Sequence, residues 1–155
     1  MPDTSAEGVD HVDVRGPRFA AWVTTGVLAA VIVLSAVSIR AATALLAFQA
    51  VVFAIGAIRG PRSHPYGWIY ARLVAPRIGS ATEREPVPPL RFAQLVGLVF
   101  ALVGLAGFVA GLPLLGIVAT ALALFAAFLN AAFGICLGCK IYPLAARLRP
   151  AGDSA

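Results

Sequence analysis

Charge is scarce in this 155-residue chain: Asp, Glu, Lys and Arg make up 12% of it, about half of what a soluble domain carries. Acidic residues are scarcest. There are seven, with none between Asp13 and Glu83 or between Glu85 and Asp153, so no intramembrane carboxylate is available for a proton relay. There is no Gly-rich phosphate loop and no Ser/His/Asp arrangement, and beyond one C-x-x-C no catalytic constellation is recognisable, which leaves open whether the chain is an enzyme. Lysine occurs once and cysteine twice. A soluble protein is excluded.

What fills the chain is apolar sequence, 60% of it, with a mean hydropathy of +0.90. Between Arg91 and Lys140 lie 48 residues with no charge. As helix they would reach about 70 Å, more than twice the roughly 30 Å hydrocarbon core, so they must cross it more than once. Four runs of spanning length emerge: Phe19 to Ile39, Ala41 to Ile58, Phe92 to Ala110 and Leu114 to Ile135, with Arg40 dividing the first pair and Gly111, Leu112, Pro113 the second. A β-barrel would need short alternating segments, which are missing. A cleaved signal peptide is disfavoured because the first run is too long and other spans follow. The expected fold class is an all-α polytopic membrane protein of four transmembrane helices forming one integral membrane domain.

Net charge is +5 and the pI about 10, but position decides what this means. With four spans, residues 1–18, 59–91 and 136–155 share one side and hold every basic residue except Arg40. Such a bias predicts that this side is the cytoplasm of a bacterial plasma membrane, with both termini there. The basic residues then answer to topology and to anionic headgroups of the lipid bilayer, and no nucleic acid is required. The first 14 residues, with four acids and no Lys or Arg, read as a mobile tail. The segment His64 to Leu73, mixing aromatics with Arg, suits a short interfacial helix, and interface anchoring explains His64, Tyr66 and Trp68 better than ligand binding does. Ala81 to Leu90, with Glu83, Glu85, Pro86, Pro88 and Pro89, reads as a solvated linker.

An internal duplication is suggested twice over. Pro17-Arg18-Phe19-Ala20 resembles Leu90-Arg91-Phe92-Ala93, and Ala71-Arg72-Leu73 followed by Pro76 resembles Ala146-Arg147-Leu148 followed by Pro150. Each half would be a helical hairpin followed by an interfacial segment. Aligning Phe53 with Phe133 sets Gly56 and Arg59 opposite Cys136 and Cys139, so that the second half alone carries thiols.

Cys136-Leu137-Gly138-Cys139-Lys140 is the sharpest feature. Two cysteines scattered at random would fall three apart roughly one time in eighty. At the cytoplasmic end of the fourth span they are expected to be mostly reduced thiols. Small apolar packing, thiol chemistry and metal binding compete to explain them. Metal binding is weakest, because C-x-x-C supplies two ligands where structural zinc takes four, and no cofactor is implied. Lys140 would lower the pKa of Cys139 if it is more than a snorkelling anchor. The helix dipole opposes a thiolate at the end of the fourth span, but favours one if Gly138 breaks the helix and a new one, containing Pro143, follows. Gln49, Gln94 and Asn130 are the polar residues within the spans; helix-to-helix hydrogen bonding is their default, and Gln94 with Asn130 would build a polar pocket beneath the cysteines, to which Gln49 is a further candidate. Gly97, Gly104 and Gly111 mark a stripe for close packing of the third span, and Gly107 to Gly111 adds a G-x-x-x-G.

Taken together, G-P-R-F-A-A-W-V before the first span, P-Y-G-W in the loop, R-F-A-Q-x-V-G opening the third span and F-L-N-A-A-F-G-I-C-L-G-C closing the fourth resemble the bacterial domain-of-unknown-function family 4395 over about Gly16 to Arg149. The resemblance implies an actinobacterial-type four-helix membrane protein with Asn130, Cys136 and Cys139 at motif positions, and no established activity. His64 stands where Ser is more usual before P-Y-G-W. Families of this kind are suspected of acting in sulfur or thiol metabolism with thioredoxin-like or sulfurtransferase proteins. The expected function is therefore a thiol-redox or sulfur-relay membrane protein with such a partner on the cytoplasmic side. The rival is a non-catalytic scaffold or small transporter subunit whose cysteines only pack; a homo-oligomer is compatible with either.

Overall fold

A computed structural model describes residues 11–79 and 84–148. Short strand β1 (His11–Asp13) leads into α1 (Arg15–Ser35) and α2 (Ile39–Arg59). After α2 come α3 (Pro65–Ile69), one π-helical turn (Tyr70–Val74) and α4 (Ala75–Ile78). Strand β2 (Arg84–Pro86), α5 (Val87–Val109), α6 (Pro113–Phe133) and α7 (Leu137–Arg147) complete the chain. The architecture is all-α, and α1, α2, α5 and α6 are each long and apolar enough to cross a membrane. They stand in a ring, α1 against α2, α2 against α5, α5 against α6 and α6 against α1.

The first span begins and ends about four residues earlier than expected. Arg40 does not divide α1 from α2, because Ser38 starts α2 by accepting the Ala41 N–H at 3.2 Å on its Oγ. Arg40 therefore lies in the first turn of α2. Likewise α5 begins at Val87, since Pro88 and Pro89 fall in its first turn, where a missing N–H costs no intrahelical bond. The expected mobile tail and solvated linker are partly overturned: β1 pairs antiparallel with β2, Val12 opposite Glu85 and Asp13 opposite Arg84. Residues 1–10 of that tail, 80–83 of the loop and Arg149 lie outside the described residues.

The halves repeat. α2 and α6 are 21 residues each and keep a constant offset of 74, from 39 to 113 and from 59 to 133. Each is followed by a glycine at positive φ, Gly60 at +85° and Gly134 at +69°. α3 packs on α1 as α7 packs on α5. The two similar R-F-A segments do the same work across the halves: Arg18 donates to the Ala131 carbonyl at 3.2 Å, and Arg91 donates to Ala57 and Ile58 at 3.0 and 2.6 Å. This register replaces the pairing of Phe53 with Phe133. It makes His64, at the N-cap of α3, and Cys136, at the N-cap of α7, counterparts in role.

Close approach of the helices rests on glycine. A Cβ on Gly107 would lie 2.6 Å from the backbone nitrogen of Gly116, one on Gly104 would lie 2.9 Å from Leu46, and one on Gly97 would lie 2.7 Å from the Phe53 ring. Gly111 has no part in this stripe; it turns the chain between α5 and α6 at φ +76°. Gln49 is wholly buried, and its partner comes from the interfacial segment rather than another span: the Tyr66 hydroxyl donates to Gln49 Oε1 at 2.8 Å. Tyr66→Phe should therefore lower stability by about 1–3 kcal/mol, because it strands a buried acceptor. Gln49→Leu/Tyr66→Phe should recover part of that loss, as read by thermal unfolding in detergent micelles.

Candidate functional site

The chain leaves α6 at Gly134, four residues earlier than a break at Gly138 would allow, so the C-x-x-C belongs to α7 and not to the end of the fourth span. Cys136 is the N-cap of α7, and its sulfur accepts the Cys139 N–H at 3.2 Å. The positive end of an 11-residue helix thus faces Cys136 Sγ, which decides the sign of the dipole effect in favour of a thiolate there. Capping also sets the two Cα atoms 5.2 Å apart, within the roughly 4.4 to 6.8 Å that a disulfide spans, and the cysteines are bonded to each other. The expectation of reduced thiols is overturned on this point. Gly138, between them, presses on α5: a Cβ there would lie 2.6 Å from the Ala93 Cα. Lys140 sits exposed in the first turn of α7, its N–H donated to the Cys136 carbonyl at 3.1 Å.

Cys136 forms part of the wall of a cavity of about 620 Å³ inside the ring of spans. Along α1 the cavity reaches from Gly16 to Thr24, about 12 Å of helix. Its lining is mostly small or apolar, and its outer end lies at β1, β2 and Arg62. Gln94 and Asn130 both line it. Gln49 is not among the lining residues; it is held by Tyr66 instead.

His64 is the residue that sequence reasoning set aside. It is 2% exposed, lines the same cavity, and neither ring nitrogen has a hydrogen-bond partner among the described residues. The Gln94 Oε1 is likewise buried and unpartnered. Both side chains lie over Gly56, where a Cβ would meet His64 at 2.7 Å and Gln94 at 2.8 Å, so Gly56 provides the room they share. Burial pushes the His64 imidazole down to about 4, with the neighbouring Gln94 side chain acting the other way. Its signal in the sequence is its place before Pro65, the N-cap position that Cys136 holds in the other half.

At the outer end Asp13 organises the approach. Arg15 meets its carboxylate at 3.0 Å and the Tyr70 hydroxyl donates to it at 3.1 Å. Burial alone would raise the Asp13 carboxyl, but the hydrogen bonds and charge of Arg15, with Tyr70, hold it below its ordinary value. Arg15 also donates to the Gly79 carbonyl at 2.8 Å, tying α1 to the end of α4.

Residues 12–147 match the model of a family described as Domain of unknown function (DUF4395). The chain belongs to that family. No curated protein and no solved structure matches it. The match takes in every element from β1 to α7 except His11 at the start of β1, so in this DUF4395 protein the disulfide, His64 and all of the cavity lining but His11 fall within the family domain.

Two outcomes are expected from this geometry. Gly138→Ala should lift the start of α7 off α5, costing about 1–3 kcal/mol by overpacking and speeding alkylation of the cysteines once they are reduced. His64 has a folded pKa below its ordinary 6.5, so above pH 6.5 it leaves stability unchanged. As pH falls from 6.5 to about 4 the unfolded chain takes up a proton that the folded chain refuses, and stability falls by on the order of 3 kcal/mol in total. Melting in detergent between pH 7.5 and 4.5 should show this slope, and His64→Gln should flatten it.

Proposed function

We propose that this integral membrane protein carries out thiol–disulfide exchange, its Cys136–Cys139 pair cycling between disulfide and dithiol. The reading rests on one observation, the bonded C-x-x-C at a helix N-terminus with Cys136 as the cap. In that position the Cys136 thiolate accepts a backbone N–H and faces the positive end of α7, so it is the better leaving group. A thiolate of a partner protein attacks the Cys139 sulfur, the S–S bond breaks, and Cys136 leaves as thiolate. The partner's second thiol then attacks the mixed disulfide and releases Cys139. The partner ends as a disulfide and the protein as a dithiol, two electrons and two protons richer.

The basic residues gathered at the same end of the bundle support a cytoplasmic site in a bacterial plasma membrane, with both termini on that side. In that compartment a persistent structural disulfide is unusual, whereas a transient catalytic one is expected. A soluble thioredoxin-like protein suits such a site. The sulfur-relay variant, which needs a free thiol to carry a persulfide, has no observation in its favour.

Purified protein in nanodiscs, mixed with a reduced thioredoxin-like protein and quenched with an alkylating reagent, should pass to the dithiol form. Cys136→Ser, its Cys139 first converted to the mixed disulfide with 5-thio-2-nitrobenzoate, should pass that disulfide to a thioredoxin-like protein lacking its second cysteine, releasing thionitrobenzoate and trapping a mixed disulfide through Cys139. A pair that resists both thioredoxin and dithiothreitol in the folded protein, with Cys→Ala changes that alter stability alone, would overturn this reading in favour of cysteines that only pack.

A further inference from the structure

Building on that exchange reading, we infer that the cavity beside Cys136 is a binding site for a lipid-soluble quinone, which reoxidises the dithiol. A dithiol can turn over only if something takes its electrons, and a cavity that Cys136 itself lines is where an acceptor would meet the sulfur.

The cavity, at about 620 Å³, lies in the range of small-molecule sites, and its chemistry fits a planar apolar ring with carbonyl oxygens. Gly16, Ala20, Gly97, Ala123 and Ala127 contribute walls with little side chain, which leaves flat apolar surface. Leu122 and Phe125 line the cavity and are about half exposed, so the cavity is open beside α6, one of the four membrane-length helices. An isoprenoid tail could leave along that side.

The polar groups are few and unspent. His64 and Gln94 are buried with polar atoms that no described residue satisfies, an arrangement that in a native interior calls for a missing partner. A neutral imidazole offers one N–H donor, which a quinone carbonyl accepts, and that N–H can follow the electrons as a proton. Burial keeps His64 in this neutral form. A lipid acyl chain would fill the same volume but bring no acceptor to the imidazole N–H.

The step balances. The Cys136 and Cys139 thiols give up two electrons and two protons and form one S–S bond; the quinone takes both and becomes the quinol. One proton reaches a carbonyl oxygen through His64, which regains it from a thiol by way of solvent, and the second carbonyl oxygen takes the other thiol proton through solvent.

The test uses 2,3-dimethyl-1,4-naphthoquinone, whose ring has no free position for thiols to add to. Protein in nanodiscs is reduced with dithiothreitol, desalted without oxygen and mixed with this quinone. One quinol should appear per disulfide formed. His64→Gln should raise the KM for the quinone about tenfold, the scale of one lost hydrogen bond, and Ala126→Phe, which fills the cavity from α6, should abolish the reaction. If the disulfide exchanges with thioredoxin but the dithiol does not reduce the quinone, the quinone site is refuted and the exchange reading stands. Quinone reduction that neither variant alters would place the reaction outside the cavity and also refute the site. If the disulfide exchanges with nothing, the reading beneath both falls.

Discussion

A helix that ends near hydrocarbon leaves carbonyls that need donors, and the rest of this fold depends on how that need is met. α2 and α6 both stop at a glycine of positive φ, and both receive an arginine from the other half of the molecule. Arg91, on α5, serves Ala57 and Ile58; Arg18, on α1, serves Ala131. Each cap fastens α2 to α5 or α6 to α1, which are the two contacts that turn a pair of hairpins into a closed ring. The cavity exists because that ring closes around small residues. The reciprocity also gives the repeated R-F-A segments their physical reason, since two helix ends in equivalent places need the same donor.

Much of the fold was legible in the sequence because hydrocarbon tolerates so little variation. The long uncharged stretches announced four crossings, and the lopsided basic residues a single charged end. Boundaries were less legible. Pro88 and Pro89 read as linker, yet proline is harmless in a first turn; Arg40 read as a divider, yet Ser38 outranks it as a start signal. Half of the site could also be read. The C-x-x-C with Gln94 and Asn130 was visible as a cluster of unusual residues, but the helical state of the cysteines turned on whether Gly134 or Gly138 ended α6. His64 escaped because nothing in its immediate sequence tells of its burial, which arises from α2 and α5 folding over it at Gly56.

The two halves show how one architecture supports two unequal corners. After α2 the chain turns at Gly60 and starts α3 behind His64; after α6 it turns at Gly134 and starts α7 behind Cys136. Both cap residues look into one cavity, one bringing an imidazole and the other a sulfur. Packing against the flanking span then sets each corner's precision: Tyr66 locks to Gln49 on one side, and Gly138 lies flat on Ala93 on the other.

The exchanged arginines also put a clock into the chain's birth. Synthesis runs from the N-terminus, so α1 and α2 are complete before Arg91 exists. Until it emerges, the carbonyls of Ala57 and Ile58 must borrow water or lipid headgroups, and Arg18 waits still longer for Ala131. Neither hairpin can finish itself, so the membrane holds an unfinished first half until the second arrives to close it.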